Sequence, residues 1–396
     1  MNPSATGWID KFFHRFTPDQ LVAPFATLDE FYQGLRTSGF IYGQAISGLI
    51  EEQLSELKLS QNEYSKVDLL HALYFIYSKA HPENLSVDHF LQHVLAFYAN
   101  IERGKITMFQ RLSLGNTASK NLEKIIASRI QESDSTLKKE GDYEFSNVLL
   151  ATDVLTYMVY VATPEKAKDF SESLEEAIIK YCYSALQTKK HKDKYDTLLL
   201  DLFESSGIVK KAAVPISEFL SHRDDKIIEK YLIDLCCMAV KEDAIVEPNE
   251  LHFIKSLEKE LQLAPNEGEL ALKLLDDFVA NNKHAVNLFN QAHPVHHFYK
   301  QTSKTVERLI IRNKKRLVKE LNESGELLKL LGQSTLRDLD NDEKEKVKDQ
   351  LLDIFKSIPS LTIFLLPGGT LLLPLFIKFI PKLLPSAFNE NEIKEK

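Results

Sequence analysis

His89 and His93 stand four residues apart, the spacing at which two imidazoles on one helical face can share a metal ion. No third ligand is evident from spacing. The residue after His89 is Phe90, so the zinc-peptidase pattern His-Glu-x-x-His fails. His293, His296 and His297 gather around Pro294 and read better as a helix start than as a ligand set. Cys236 and Cys237 lie in an apolar run and are expected to be core thiols. With Cys182 they are the only cysteines, too few for a disulfide framework, and they point to a reducing compartment. No Gly-rich phosphate loop, nucleophile elbow or Ser/His/Asp grouping with interpretable spacing occurs, so no catalytic site is expected.

A second kind of chemistry is electrostatic. From Arg308 to Lys319 the chain carries Arg308, Arg312, Lys314, Lys315, Arg316 and Lys319 with no acidic residue between them. At about 100° per residue, Val306, Leu309, Ile310, Leu317 and Leu321 fall on one stripe of a helix, and Arg308, Arg312, Lys315, Arg316 and Lys319 on the other. Such a face is either the solvated side of a bundle helix or a surface for anionic headgroups or RNA phosphates.

The elements that must carry these residues are helices. The chain has 396 residues but only 14 glycines, and it is 44% hydrophobic and 27% charged. That composition excludes disorder, a Gly-rich β-sandwich and a many-span transporter. A net charge of -8 argues against general nucleic-acid binding, DNA included, and leaves only local phosphate contacts. Apolar residues recur every three or four positions from Leu28 to about Lys211, with breaks at Gly39, His81-Pro82, Gly115-Asn116, Lys139–Gly141 and Thr163-Pro164. Val148–Ala162 is nearly all apolar but carries Asp153 and is too short to cross a bilayer, so it reads as a buried core helix. The start of the chain places Asp10, Lys11 and Arg15 ahead of any apolar run and is no secretory signal.

Between Lys356 and Lys378 lies the one long uncharged run, SIPSLTIFLLPGGTLLLPLFI. At about 1.5 Å per residue it would just cross a hydrocarbon core of roughly 30 Å. Pro359, Pro367, Gly368, Gly369 and Pro374 interrupt it, so a kinked span, a re-entrant hairpin and a soluble core hairpin all remain open. Lys378 and Lys382 could snorkel to headgroup level on its far side. Upstream, Asp340 and Glu343 have the spacing of a helix-capping box.

The run from Glu323 to Phe388, and above all FIPKLLPSAF with Pro381, Lys382 and Pro385, resembles the membrane core of the LETM family. The layout is similar to that of bacterial LETM-related biofilm-associated proteins. The resemblance implies an inner or cytoplasmic membrane protein linked to cation/proton exchange and to ribosome binding. In that family the ribosome-binding domain follows the membrane segment, and here only eight residues follow Phe388, so any ribosome contact is expected from the upstream basic helix. No EF-hand loop is present in the sequence. Tyr231–Leu263 more weakly resembles the helical TerB-like fold of tellurite-resistance proteins, which implies a divalent cation held by Asp243, Glu247 and Glu250. Ala244 stands where that pattern has glycine. On the residues alone, Pro248 would start a helix whose positive end Glu247 and Glu250 complement.

The expectation is therefore an all-α, multi-helical chain with a C-terminal membrane-associated helical segment, 357–388, and no enzymatic activity. Its parts would be an N-terminal helical domain (1–220), a TerB-like module (221–290) and a LETM-type region (291–396). It would sit on the cytoplasmic membrane with its N-terminal bulk in the cytosol, acting in cation homeostasis or as a scaffold recruiting ribosomes or other partners. A single bent segment cannot enclose an ion path, so transport would need a homo-oligomer. The alternative is a soluble TerB-like cation-binding or stress-response interaction protein.

Overall fold

The computed structural model describes residues 1–50, 59–101, 117–130, 150–205, 208–210, 226–241, 246–282, 299, 303, 306–358, 361, 364 and 372–385. Among the described residues every regular element is a helix. Local sequence explains several of the starts. Ser60 opens Gln61–Ala80 with a capping box: its Oγ accepts the Glu63 N–H at 3.3 Å, and Glu63 Oε2 accepts the Ser60 N–H at 2.8 Å. Asp340 and Glu343 make the expected reciprocal pair at 2.8 and 3.0 Å and open Asn341–Ser357. Trp8–Arg15 starts without a cap of its own, and Glu123 supplies one from a distance, accepting the Gly7 and Ile9 N–H groups at 2.9–3.0 Å.

Four long apolar helices form the centre. Gln61–Ala80 packs on Leu150–Ala162, which packs on Ala167–Thr188, which packs on Ile227–Val240. Ile227–Val240 also lies against Glu267–Asn281, Pro248–Glu260 and Leu28–Thr37. The core helix expected around Asp153 is present, and every residue from Leu150 to Tyr160 in it is buried. Cys236 and Cys237 are fully buried, and burial pushes both thiols up. At Gly39, φ is +82° and an added Cβ would overlap the Gln44 carbonyl and the Phe278 ring, so the chain can turn tightly there only as glycine.

Two of the carboxylates buried in this apolar centre are each met by a tyrosine and an arginine. Asp234 takes the Tyr32 hydroxyl at 2.5 Å and Arg36 Nε at 2.9 Å, while the rest of the Arg36 guanidinium reaches Glu267 at 3.2 Å. Asp153 takes the Tyr98 hydroxyl at 2.8 Å, and Arg129 Nε and an Arg129 terminal nitrogen at 2.9 and 2.5 Å. Burying a charge is costly unless it is paired and hydrogen-bonded, and both are.

Lys314–Glu323, Gly325–Gln333, Asn341–Ser357 and Leu373–Leu383 pack together as the C-terminal part. Phe355, Phe364 and Phe376 form its aromatic centre with ring separations of 4.5–4.8 Å. Within the expected membrane segment, Leu361, Phe364, Leu372, Leu373, Pro374, Leu375, Phe376, Ile380 and Leu384 are buried against other helices. Large hydrophobic side chains that are exposed among the described residues are Leu270, Ile311 and Leu336, none of them in that segment. No helix of the described residues is long and apolar enough to cross a membrane. Leu373–Leu383 has 11 residues, and the expected spanning helix thus has no counterpart there. Lys378 Nζ donates to the Tyr299 hydroxyl at 3.2 Å and lies over that ring.

Two stability predictions follow from these buried groups. Arg36→Met removes the cation shared by Asp234 and Glu267, and urea unfolding should show a loss of about 3–5 kcal/mol, partly restored when Asp234→Leu is added. His71, fully buried with Nε2–H donating to the Leu21 carbonyl at 2.6 Å, is pushed down to about 4 by burial. The unfolded chain takes up this proton near pH 6.5 and the folded chain only near 4, so stability should fall by about 3 kcal/mol between those limits. Urea midpoints measured from pH 7 to pH 4 should show a flatter profile for His71→Gln; identical slopes would refute the assignment.

Candidate functional site

The apolar stripe expected on the basic helix is present: Val306, Leu309, Ile310, Leu317 and Leu321 are all buried. Arg312, Lys314, Lys315, Arg316 and Lys319 are exposed, and Arg308 is half-buried. The expected single helix is broken at Asn313, whose side-chain Nδ2 donates to the Leu309 carbonyl at 2.8 Å, and a new helix starts at Lys314. That break has an electrostatic consequence. Lys314, Lys315 and Arg316 occupy the first turn of Lys314–Glu323, at the positive end of the helix dipole, with no acidic residue among them. Glu320 and Glu323 lie towards the negative end. Stable helices carry the opposite pattern, so this order concentrates positive potential at one surface instead of neutralising it. Lys319 has an ion pair with Glu323 at 4.0 Å, both side chains being well exposed. Among the described residues no ion pair neutralises Arg312, Lys314, Lys315 or Arg316.

Ile311 lies beside these cations and is 60% exposed. The periodicity reading passed over it because it falls on the polar side; an isoleucine between Ile310 and Arg312 on that side was the available signal. The basic helix is held by the rest of the C-terminal part. Gly325–Gln333 packs on it, Ser357 Oγ donates to Glu320 Oε1 at 3.2 Å, and Ser324 Oγ donates to Gln350 Oε1 at 2.9 Å.

Of the expected membrane residues, Pro374 is buried near the start of Leu373–Leu383, Pro381 is inside that helix and half-buried, and Lys382 and Pro385 are exposed. Pro359, Pro367, Gly368 and Gly369 lie outside the described residues. Of the expected cation ligands, Asp243 lies outside the described residues. Glu247 and Glu250 stand at the start of Pro248–Glu260, where Glu250 Oε2 accepts the Glu247 N–H at 2.9 Å and Lys190 Nζ approaches Glu247 at 3.5 Å. These contacts are those of a capped helix terminus. His293, His296 and His297 also lie outside the described residues.

His89 and His93 share one face of Val87–Ile101, as their spacing requires, and the fold adds His81, which ends Gln61–Ala80. The three rings lie 5.0, 6.0 and 6.3 Å apart between centroids. Tyr77 stacks on His81 at 4.7 Å, and Tyr157 and Tyr160 flank His93. Burial, with His81 and His89 as neighbours, pushes His93 down to about 4 and keeps it neutral. The sequence signal for His81 was only a helix break before proline.

Residues 339–396 match the family model described as LETM1-like, RBD, so the C-terminal segment is LETM1-like. The match falls on the segment expected to be the membrane core, not downstream of it. The basic helix lies just upstream of the matched residues and packs beside them through Gly325–Gln333. Comparisons with curated proteins and with solved structures return no match.

Proposed function

We propose that this protein is a non-catalytic scaffold of the LETM type that docks on the ribosome through its C-terminal part. The LETM1-like, RBD match at 339–396 carries this reading, since that family is linked to ribosome binding. The helix next to it supports the reading physically. Its first turn places three cations at a positive helix end, beside Arg312 and the exposed Ile311. RNA phosphates neutralise such a surface, and each contact releases condensed counterions. The net charge of -8 confines this attraction to the local face and suits a partner met at one patch.

Membrane attachment with the bulk of the chain in the cytosol, and a part in cation homeostasis, complete the proposal. They rest on the family resemblance and on the uncharged run Ser357–Ile377, part of which lies outside the described residues.

Co-sedimentation of the full chain with purified ribosomes tests the docking. Changing Arg312, Lys315, Arg316 and Lys319 to Glu should weaken binding by about 10³-fold or more at moderate salt and flatten its salt dependence. The far-UV circular dichroism should be unchanged, because all four side chains are exposed. Equal pelleting of the wild type and the charge-reversed chain would sink the proposal. Release of the chain from a membrane pellet on deletion of 357–396 would support attachment.

A further inference from the structure

We propose that His81, His89 and His93 bind one divalent transition-metal ion of the zinc class through their three Nε2 atoms, with a fourth position open to water. The hydrogen bonds of the rings carry this. His81 Nδ1 faces the Tyr77 backbone carbonyl at 3.2 Å, and a carbonyl only accepts, so Nδ1 holds the proton and Nε2 the lone pair. The Tyr77 hydroxyl donates to the Asn84 carbonyl at 2.8 Å, so its 2.5 Å contact with His89 Nδ1 is one in which the imidazole donates. His89 Nε2 is then also a lone pair. His93 also turns Nδ1 to the protein, facing the Tyr157 hydroxyl at 2.9 Å, and in the metal-bound form that nitrogen donates to it. Three imidazoles thus turn the same nitrogen to the protein and keep the other for something else. An oxygen partner on the second nitrogen is the arrangement that fixes tautomer and direction in metal-binding histidines.

The spacing is close to what an ion needs. Three imidazoles meeting at one tetrahedral ion, with metal–nitrogen bonds of about 2.0–2.1 Å, have ring centres about 5 Å apart. The His81–His93 pair is already at 5.0 Å, while the two His89 distances are 6.0 and 6.3 Å. As the side chains stand, no group of three His, Cys, Asp or Glu among the described residues is arranged to hold a metal ion. Closure requires His89 to move inward by about 1 Å, and His89 is the exposed member of the three. All-nitrogen ligation selects zinc, copper or nickel over magnesium and calcium, which prefer oxygen. Bound there, an ion would join the end of Gln61–Ala80 to Val87–Ile101 across the turn between them.

Calorimetry of the chelator-stripped full chain tests this, in a background where His293, His296 and His297 are changed to Ala to remove the other histidine cluster. Zinc should bind with one-to-one stoichiometry and magnesium should not. His89→Gln, an exposed change, should weaken zinc at least 10-fold, and Tyr77→Phe, which keeps the ring but removes the hydroxyl behind His89, should weaken it about 10-fold. Cobalt(II) should give visible d–d bands that His89→Gln abolishes. No saturable zinc binding, or an affinity unchanged in His89→Gln, would overturn the proposal.

Discussion

A carboxylate carried into a protein core on an apolar helix is costly unless it is hydrogen-bonded, and an ionised one needs a cation beside it as well. That constraint organises this fold. Asp234 lies in the middle of Ile227–Val240, and its partners Tyr32 and Arg36 come from some two hundred residues earlier, while Glu267 shares the same guanidinium. One ion pair therefore fixes three helices that are remote in sequence. Asp153 repeats the device with Tyr98 and Arg129. In both, a tyrosine hydroxyl and an arginine Nε meet one carboxylate oxygen; at Asp153 a second arginine nitrogen reaches the other oxygen, whereas at Asp234 the guanidinium turns to Glu267 instead. A hydrophobic replacement could give equal stability. What it could not give is direction, since a planar guanidinium forked between Asp234 and Glu267 permits one register of Leu28–Thr37 against both helices.

The C-terminal part follows a different rule. Its centre is aromatic and aliphatic, around Phe355, Phe364 and Phe376, with no buried ion pair among the described residues there. Charge is placed outside instead, and unevenly. The cations of Lys314–Glu323 stand where the helix dipole disfavours them, a small cost that only an external anion removes. A helix optimised for its own stability would have the reverse order. The order in Lys314–Glu323 is the reverse of that in Gln61–Ala80 and Asn341–Ser357, which are capped and carry acids in the first turn and a lysine in the last.

Much of the fold was legible from periodicity. The all-helical class, the stripe Val306, Leu309, Ile310, Leu317 and Leu321, the buried helix around Asp153 and the cap at Asp340 depend on neighbours within one or two turns, and sequence records those directly. The clasps were not legible, because nothing local pairs Arg36 with Asp234. His81 was read as punctuation for the same reason: its relation to His89 and His93 exists only once Gln61–Ala80 and Val87–Ile101 fold back on each other. The uncharged run shows the limit of composition. Hydropathy reports that a segment avoids water and is silent on whether lipid or protein replaces it. Here the buried residues of the run pack on Gly325–Gln333, on Lys194–Ser205 and on Phe355.

The junction between the two parts leaves the basic face uncovered by the front. Leu373–Leu383 packs on Lys194–Ser205 of the front, and Lys378 donates to Tyr299, whose ring lies 6.3 Å from that of Tyr195. These contacts use the side of the C-terminal part that carries Leu373–Leu383. The basic helix is attached through Gly325–Gln333, so its cations are not consumed by the front. The front itself is acidic enough to make the whole chain net negative. An anionic partner is therefore repelled by most of the molecule and attracted at one face, which restricts its orientation before any specific contact forms. The large helical front thus has an electrostatic use beyond ballast: it makes the wrong approaches unfavourable.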